Sequence, residues 1–554
     1  MKISRQVLDR KNQLLQGMDQ KYWEWRDHYR ELSEFILPHR YVWLEGQHSQ
    51  DMGARRYRTR RIVNNTGTLA AKQLAAGMMG GITSPAHQWF RLNEEGRDPQ
   101  EVENQQIRAY LDHVQAMMLQ VFAGSNFYST IQTTYLDLGV FGTSAVIVYE
   151  HEENVIDCYL SPVGEYRIAQ NASREVTVFG RNIMMTVMQM VDKFGVGNCS
   201  QQVRTLYTNG GQGLLHQIPV CHLIEPNVQG EGALGKSFAY RECYWEKGAK
   251  DEVLSLTGFE EKPFFVPRWE VIGQDTYGQC PGMDALADII QLQQETIRKA
   301  QGLDKMVNPP IVADSSVRRT PSLIPGGVTY APSSSTVGAK ALYQPNLPIG
   351  ELSQDLAQLE YRIRETFYND LFKMISQLAT VRSATEIDAR MQEKLILLGP
   401  VLQSFTKEVL DPVVTRLAAI LQRRGMIQPP PTQLQGIEIR YSGILHEAQK
   451  AATIGSLERF IQVIGSMISV WPQAGYVLDP NKAIRAYGDQ LNVPAVVMRS
   501  ADDVDRIVQE MEERQRQEQA LAQGKELTEA AKNLQGVEAG GGASVLQQLL
   551  GGAR

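Results

Sequence analysis

The spacing of apolar residues predicts that residues 1–139 are mostly helical. Leu8, Leu15 and Leu32 recur at roughly helical spacing within residues 1–45, and Pro38 ends this first pattern. Similar patterns predict three further helices, at Asn64–Met79, Gln100–Phe122 and Phe127–Gly139.

Between residues 145 and 270 the pattern becomes typical of β-structure. The run Ser144–Tyr149 predicts a first strand, because it combines β-branched and other apolar residues. Val176–Val178, Val203–Tyr207 and Phe264–Val266 predict further strands, and one helix is expected at Met184–Phe194.

Two long helices are predicted on either side of a proline-rich segment. The first runs over 283–305, about 35 Å at 1.5 Å per residue, and the second over 351–377. Residues 306–350 between them contain seven prolines, too many for a helix. The second helix carries an apolar stripe formed by Leu352, Leu356, Leu359, Ile363, Phe367 and Leu371. A single chain would leave parts of these stripes uncovered, which favours packing between subunits.

A third and longer helix is predicted over residues 385–424. Ser383 and Glu386 form an S-x-x-E capping-box pattern at its start, and Pro400 and Pro412 are expected to kink it.

The remaining pattern predicts a strand followed by helices. The strand is Ile437–Tyr441, several helices are expected between about 446 and 523, and the tail ends in a short amphipathic piece, Ser544–Leu550.

Length and composition indicate a large globular protein with several structural units. The chain has 554 residues, of which 43% are hydrophobic and 21% charged, so wholesale disorder is excluded and three or four units of ~150 residues are expected. A net charge of −6 argues against a basic nucleic-acid coat. Residues 1–62 carry 13 basic and 8 acidic side chains, whereas residues 502–554 carry 6 basic and 10 acidic ones. This difference in charge between the two ends is expected if they bind different partners, or if both are simply exposed to solvent.

The five cysteines are too widely spaced for a zinc knuckle, and their odd number does not suggest a disulfide framework. Folding in a reducing cytoplasm is therefore expected. The first residues lack the apolar core of a secretory signal, and the uncharged run Phe460–Leu478 contains polar residues and a proline, so it is interpreted as a buried helix rather than a membrane span.

No catalytic, cofactor or metal motif is recognised in the sequence. The sequence contains no P-loop for nucleotide phosphates, no strand followed by the dinucleotide-binding pattern G-x-G-x-x-G, and no G-x-S-x-G nucleophile elbow. His216, Cys221 and His222 lie close in sequence but without a zinc-site spacing, so they leave only a weaker alternative, an enzyme with a cryptic site in the β-rich region. One loop is rich in basic residues: Arg55, Arg56, Arg58, Arg60 and Arg61, with Tyr57 among them. Such a loop is suited to binding phosphate, to contacting an acidic surface of a neighbouring subunit, or to exposure to solvent.

The order of several short segments resembles the portal, or head-to-tail connector, proteins of short-tailed bacteriophages. The segments that carry the resemblance lie on the stalk-like helix pair or on the regions before and after it: Asn64–Gly67, Leu74–Pro85, Trp89–Leu92, Leu136–Thr143, Pro162–Arg167, Pro267–Trp269, Tyr277–Gly278, Pro281–Gly282, Asn308–Pro310, Pro325–Gly327 and Ala384–Ile387. None is diagnostic alone, but their order makes the resemblance specific up to about residue 510. Another phage head–tail structural protein, such as an adaptor or scaffold, is the nearer alternative.

The resemblance implies an α+β, mainly helical portal fold. Its parts would be a wing at 1–282 with a β-rich 145–270, a stem made of 283–305 and 351–377, a clip at 306–350, a tunnel loop at 378–384, a long kinked helix at 385–424, a crown at 425–510, and a C-terminal barrel or flexible tail at 511–554.

The resemblance also implies a non-enzymatic ring of about twelve subunits at one capsid vertex, without a cofactor. Double-stranded DNA would pass through the ring, and the terminase large subunit, scaffold, major capsid protein and tail adaptor or nozzle proteins would bind it. The virion, and the host cytoplasm during assembly, would be its location.

Basic residues in the implied channel are the candidate sites. Lys373 and Arg382 are candidates for weak DNA contacts, and Arg318, Arg319 and Lys340 are candidates in the clip for DNA, motor or adaptor contact. The arginines of the 55–61 loop are candidates for a subunit contact.

Overall fold

The structure is a computed structural model. It describes residues 4–44, 62–94, 105–227, 238–249, 252–307, 311–313, 339–341, 348–378, 398–431, 434, 436–443, 463–467, 471, 538–539, 543–544 and eight residues between 506 and 517. The contacts divide the chain into two units, residues 1–95 with 109–453 and residues 96–108 with 454–554, and each is described by itself.

The first unit begins with long helices whose apolar residues recur every three or four positions. In α1 the buried side chains include Leu8, Leu15, Met18 and Tyr22, which lie on one face of the helix. The helices of this part are α1 (Arg5–Phe35), α2 (Tyr41–Leu44), α3 (Thr66–Ile82), α4 (Gln105–Gly124, whose first residues belong to the second unit) and α5 (Phe127–Phe141). The predicted helices are thus present with ends within a few residues of those expected, and the start predicted at Gln100 lies outside the described residues.

Two antiparallel sheets form the β-rich part that the sequence predicts. The strands are β2 (Ala145–His151), β3 (Val155–Ser161), β4 (Tyr166–Gln170), β5 (Val176–Thr186), β6 (Gln217–Pro226), β7 (Tyr240–Glu246), β8 (Ser255–Phe259) and β9 (Phe264–Phe265). Their order is β3-β2-β9 in one sheet and β4-β5-β6-β7-β8 in the other.

The five-stranded sheet has a hydrophobic cluster on each face. Cys221, Leu223 and Trp245 cluster with Leu8 and Leu15 of α1. Val220 and Tyr244, whose side chains alternate with those residues along β6 and β7, cluster on the other face with α6 (Val187–Phe194) and α7 (Gln201–Asn209). The sheet therefore lies between α1 and the inserted pair α6–α7.

The prediction of a strand at Val203–Tyr207 is wrong, because these residues belong to α7. The Ser200 hydroxyl accepts a hydrogen bond from the Val203 amide and caps the helix, and Gly210, with a φ of 65°, ends it. The predicted helix Met184–Phe194 begins at Val187, because Thr186 and Gln189 form a capping box there and the residues before them extend β5.

The predicted helix pair is present as α8 (Pro281–Val307) and α9 (Ile349–Thr366), which pack along each other. The second predicted helix is not continuous to residue 377, since it breaks at Tyr368 and resumes as α10 (Asn369–Leu378). Between the pair, the structure describes only the strands β10 (Ile311–Ala313) and β11 (Ala339–Ala341), which pair with each other.

The third long helix is described from residue 398 onward. Residues 398–405 are helical, Thr406–Leu410 form a wider π-type turn, and α11 (Asp411–Arg423) follows. In that turn the Asp411 amide donates to the Thr406 carbonyl, and Pro412 has no amide hydrogen to donate to Glu408. The helical register thus changes beside one of the two prolines at which a kink was predicted.

The predicted strand Ile437–Tyr441 is β12, and it pairs antiparallel with β1 (Phe90–Glu94). In the second unit, the described part consists of helical residues 463–467, further helical residues between 506 and 517, and a hairpin of β13 (Glu538–Ala539) with β14 (Ala543–Ser544). These residues are too few to test the predicted crown and tail.

Candidate functional site

The helix pair α8–α9 is joined to the start of α3 by a dense set of polar contacts. The Gln293 side-chain oxygen accepts from the Val63 and Asn64 amides at 2.9 Å each, and its nitrogen donates to the Asn64 carbonyl at 2.6 Å. Asn64 Nδ2 donates in turn to Glu360 of α9 at 3.0 Å. The segment Asn64–Gly67, part of the portal resemblance, therefore joins both helices at one point.

The pair is well packed near this joint and exposed farther along. Ile289 and Leu292 of α8 and Ile363 of α9 are fully buried. Beyond residue 293 no side chain of α8 is fully buried, and the exposed apolar side chains are those of Ile297, Leu303, Met306 and Val307. Val307 is 76% exposed. An unpartnered apolar end of this kind is typical of a surface that another chain covers.

The candidate channel residues lie in or near α10, and the structure describes one of them with its side chain. Lys373 is exposed, and its ammonium nitrogen lies 3.9 Å from an Asp370 oxygen on the preceding turn. Arg382 lies outside the described residues. The structure therefore does not test whether the two side chains come together.

Little of the other candidate sites falls within the described residues. Lys340 lies in β11, where its backbone pairs with Val312. The candidates outside the described residues are Arg318, Arg319, Arg55, Arg56, Arg58, Arg60 and Arg61. Their roles stay predictions.

The histidine–cysteine neighbourhood does not form a common site. His222 is fully buried on the α6–α7 face of the sheet, Cys221 lies in the cluster on the α1 face, and His216 is exposed. Within the described ranges, no three His, Cys, Asp or Glu side chains are placed to hold a metal ion.

His222 is the centre of a buried polar network instead. Arg181 Nε donates to His222 Nδ1 at 2.9 Å, so this ring nitrogen carries no hydrogen. The other nitrogen, Nε2, must then donate to Glu242 Oε1 at 2.8 Å. Burial lowers the pKa of His222 to about 4, although the hydrogen bond to Glu242 opposes the shift. His222 is therefore neutral at physiological pH.

Further hydrogen bonds complete this network. Glu242 also accepts from the hydroxyl groups of Tyr244 at 3.1 Å and Thr257 at 3.0 Å, and Arg181 also donates to buried Glu165 at 3.1 Å. Because each buried charge has partners, the arrangement is suited to holding strands β5, β6 and β7 in register rather than to binding a ligand.

A second group of contacts, which sequence reasoning missed, anchors the helix at 398–423 to the three-stranded sheet. Arg416, 1% exposed, donates to the Val148 carbonyl of β2 at 3.1 Å and to Glu261 at 3.3 Å. Arg423 pairs with Glu150, Glu260 and Glu261. The partners are about 150–270 residues apart in sequence, so no local motif could have indicated them.

Aromatic residues around Tyr277 form a further core at the base of α8. Tyr22 and Tyr29 of α1 contact Tyr277 edge-on, with ring centroids 6.0 and 6.3 Å apart, and Tyr29 also contacts Phe141. Two segments of the portal resemblance, Tyr277–Gly278 and Pro281–Gly282, thus join α1, α5 and the first turn of α8. The sequence indicated the segments but not this packing.

Across the residues that the structure describes, no helix is long and apolar enough to cross a membrane.

The described residues thus form a long helix pair with an exposed apolar end, attached to a body of sheets and helices. The model of the family described as bacteriophage head to tail connecting protein matches residues 8–498. The chain is 36% identical over 516 residues to the portal protein of Salmonella phage epsilon15 and 33% identical to the probable portal protein of Bordetella phage BPP-1. In both cases the match covers 92% of this chain and 91% of the relative.

The chain therefore belongs to the bacteriophage head-to-tail connecting protein family, as its motif order predicted. This family is structural rather than enzymatic, and its members are components of the virion at the head–tail junction. The predicted function as a phage portal is confirmed at this level, and DNA packaging is the general role of such proteins. The mixed helix and sheet content agrees with the predicted α+β class.

Proposed function

We propose that this chain is the subunit of a portal ring of about twelve copies at one capsid vertex, through which double-stranded DNA enters, is retained and leaves. The observation that carries the proposal is the match to portal proteins over nine-tenths of the chain. The architecture supports it, since α8 and α9 form a stalk that begins at the β-rich body.

In this proposal the helix pair is the stem, residues 306–350 are the clip, and residues 378–384 are the tunnel loop facing the channel. The exposed apolar residues Leu303, Met306 and Val307 lie on one side of α8 and contact the neighbouring subunit. Ring closure buries them, which removes their cost of exposure to water.

The charge of the protein suits a conduit that lets DNA slide. Each Lys or Arg that contacts a phosphate releases counterions and adds affinity, so many such contacts would hold the DNA in place. With a net charge of −6 and Lys373 paired with Asp370, the ring offers only weak attachment points. Lys373 and Arg382 are the proposed DNA contacts, and Arg318, Arg319 and Lys340 of the clip contact DNA, the motor or an adaptor.

The proposed partners follow the stages of assembly. Scaffold and major capsid protein bind the wing, the terminase large subunit binds during packaging, and tail adaptor or nozzle proteins bind afterwards. The basic loop at 55–61 is proposed to contact a neighbouring subunit. Assembly would begin in the host cytoplasm.

Native mass spectrometry and negative-stain imaging of the purified protein test the ring. We expect rings of about twelve copies with a central hole wider than duplex DNA, roughly 20 Å. Monomers or compact dimers at every concentration would overturn the proposal.

A matched pair of variants tests the contact surface. Leu303→Asp places a charge at an exposed apolar position of α8 and is expected to dissociate rings at concentrations where the wild type is assembled. Gln301→Asp adds the same charge two residues away, on a different side of the helix, and is expected to leave rings intact. Equal behaviour of the two variants would contradict the assignment of this surface.

A further inference from the structure

The junction between α9 and α10 has a backbone conformation that its residue disfavours. Tyr368 has a φ of 55°, in the left-handed region where glycine is the usual residue. Its amide donates to the Glu365 carbonyl at 2.9 Å, which closes the last turn of α9. Strained residues of this kind persist only where surrounding contacts hold them, and they concentrate in segments that switch.

The amino-acid pattern at the same place favours an unbroken helix. The apolar residues Leu359, Ile363, Phe367 and Leu371 follow one another at intervals of four, across the break. The junction from Thr366 to Asp370 contains no glycine or proline, the two residues that disfavour a helix most, although its residues are otherwise weak helix formers. The apolar spacing and the folded arrangement therefore disagree at Tyr368.

Contacts with α3 hold α10 in its bent position. The Phe372 ring fills the space above Gly77, where a Cβ atom would lie only 2.1 Å from the ring. Asn369, which is 1% exposed, has an amide nitrogen that, oriented as a donor, lies 3.0 Å from the Ala70 carbonyl. Leu371 is completely buried, and the ring centroids of Tyr368 and Trp269 lie 6.2 Å apart.

We propose that the α9–α10 junction is a two-state hinge. In the state described here, Phe372 docks over Gly77 and Tyr368 is left-handed. In the other state, Tyr368 becomes right-handed helical, α9 and α10 form one continuous helix, and Phe372 leaves α3. Because Lys373 follows Phe372 directly, the hinge changes the position of that basic side chain relative to the body.

The balance between the two states follows from the two opposing preferences. Straightening relieves the disfavoured φ of Tyr368 and gives the amides of Asn369, Asp370 and Leu371 helical acceptors, which the first residues of a separate helix lack. Bending keeps Phe372 and Leu371 buried against α3. The hinge is a property of the subunit fold, so it stands or falls independently of the number of subunits in the ring.

Hydrogen exchange of the assembled protein, resolved to single amides by fragmentation mass spectrometry, distinguishes the states. Gly77→Ala places a methyl group where the Phe372 ring lies and is expected to favour the straight state. Exchange at residues 369–371 should then become slower, because these amides gain helical partners. Gly80→Ala is the matched control, since the same helix gains the same methyl group with no atom within 4 Å.

Two substitutions at Tyr368 test the hinge without crowding the interface. Tyr368→Ala favours the straight helix, whereas Tyr368→Gly favours the left-handed bend. We expect exchange at residues 369–371 to differ by about tenfold or more between them, slower in the alanine variant. Unchanged exchange in both Gly77→Ala and Tyr368→Ala, or faster exchange throughout 369–378, would overturn the hinge.

Discussion

Buried Arg268 and partly buried Glu408 form an ion pair across 140 residues of sequence. The Arg268 guanidinium donates to one Glu408 oxygen from Nε at 3.0 Å and from Nη2 at 2.6 Å, and the Arg268 backbone amide donates to the other oxygen at 2.8 Å. Glu408 lies in the π-type turn of the long helix, and Arg268 lies in the segment Pro267–Trp269. The pair therefore fixes this turn against the segment that precedes α8.

Glu408→Ala is expected to destabilise the protein strongly. It leaves the Arg268 guanidinium buried without its carboxylate, and removing one partner of a buried pair typically costs about 3–5 kcal/mol. Thermal and urea unfolding of the purified protein would show the loss as a lower midpoint. Glu438→Ala is the control, because its pair with Arg440 is largely exposed and contributes at most about 1 kcal/mol. Similar midpoints for the two variants would contradict the role of the Arg268 pair.

Asp137 should make stability depend on pH in the mildly acidic range. Burial raises its pKa to about 6, although Arg40, 3.0 Å away, opposes the shift. The folded protein thus holds this proton more tightly than the unfolded chain, whose pKa is 3.8. The contribution of Asp137 is complete below about pH 4 and declines as pH rises through 6, by about 3 kcal/mol in total.

Asp137→Asn should remove that decline. Urea unfolding at several pH values would show the free energy of the variant, relative to wild type, increasing from pH 4 to pH 7. Asp9→Asn removes an exposed carboxylate of α1 and controls for the change in net charge. A constant difference across this range would show that Asp137 is ionised with an ordinary pKa.

The elements that the sequence predicted best are those with a long and regular apolar pattern. The helix pair was expected at 283–305 and 351–377, and α8 extends two residues beyond each predicted end. α7 was missed because Val203–Tyr207 is a short run of β-branched and aromatic residues. The signals that could have found it are the cap at Ser200 and the glycines after Asn209.

The features that were missed depend on contacts between distant residues. The break at Tyr368 requires the space above Gly77, which lies nearly 300 residues earlier in the chain. The arginine contacts of the long helix join residues that no local pattern connects. For the site, Lys373 is placed by its neighbour Phe372, so its position depends on the same long-range packing.

His222 should produce a second pH effect, with the opposite sign. Its pKa in the folded protein is lowered to about 4 by burial, from 6.5 in the unfolded chain. Protonation would also place a hydrogen on Nδ1, where Arg181 already donates. Stability is therefore lost as pH falls from about 6.5 to 4, by about 3 kcal/mol from this group.

His222→Gln should reduce this loss, because glutamine can accept from Arg181 and donate to Glu242 without titrating. The measurement is the unfolding free energy in urea between pH 7 and pH 4. His216→Gln, at an exposed position before β6, is the matched control and should leave the wild-type profile unchanged. If His222→Gln kept the full loss, the neutral, doubly hydrogen-bonded histidine would be ruled out.

Gly142 should tolerate no side chain, because two separate constraints coincide there. Its φ is 71°, and a Cβ atom would lie 2.0 Å from the Gly278 carbonyl oxygen. That contact brings the end of α5 against the segment that leads into α8, where the Trp269 amide donates to the Gly142 carbonyl at 2.9 Å. Both chain segments belong to the portal resemblance, and the close approach of their backbones fixes the segment that leads into α8.

Gly142→Ala is expected to destabilise the protein by about 2–5 kcal/mol, from the left-handed backbone and the displaced Gly278 together. Gly425→Ala separates the two effects, because Gly425 ends α11 with a φ of 67° but has no atom within 4 Å of the position that an added methyl group would take, and about 1–2 kcal/mol is expected. Comparison of the two unfolding midpoints measures the steric part alone. Equal shifts would mean that the segment Tyr277–Gly282 moves freely, and α8 would then not depend on this contact for its position.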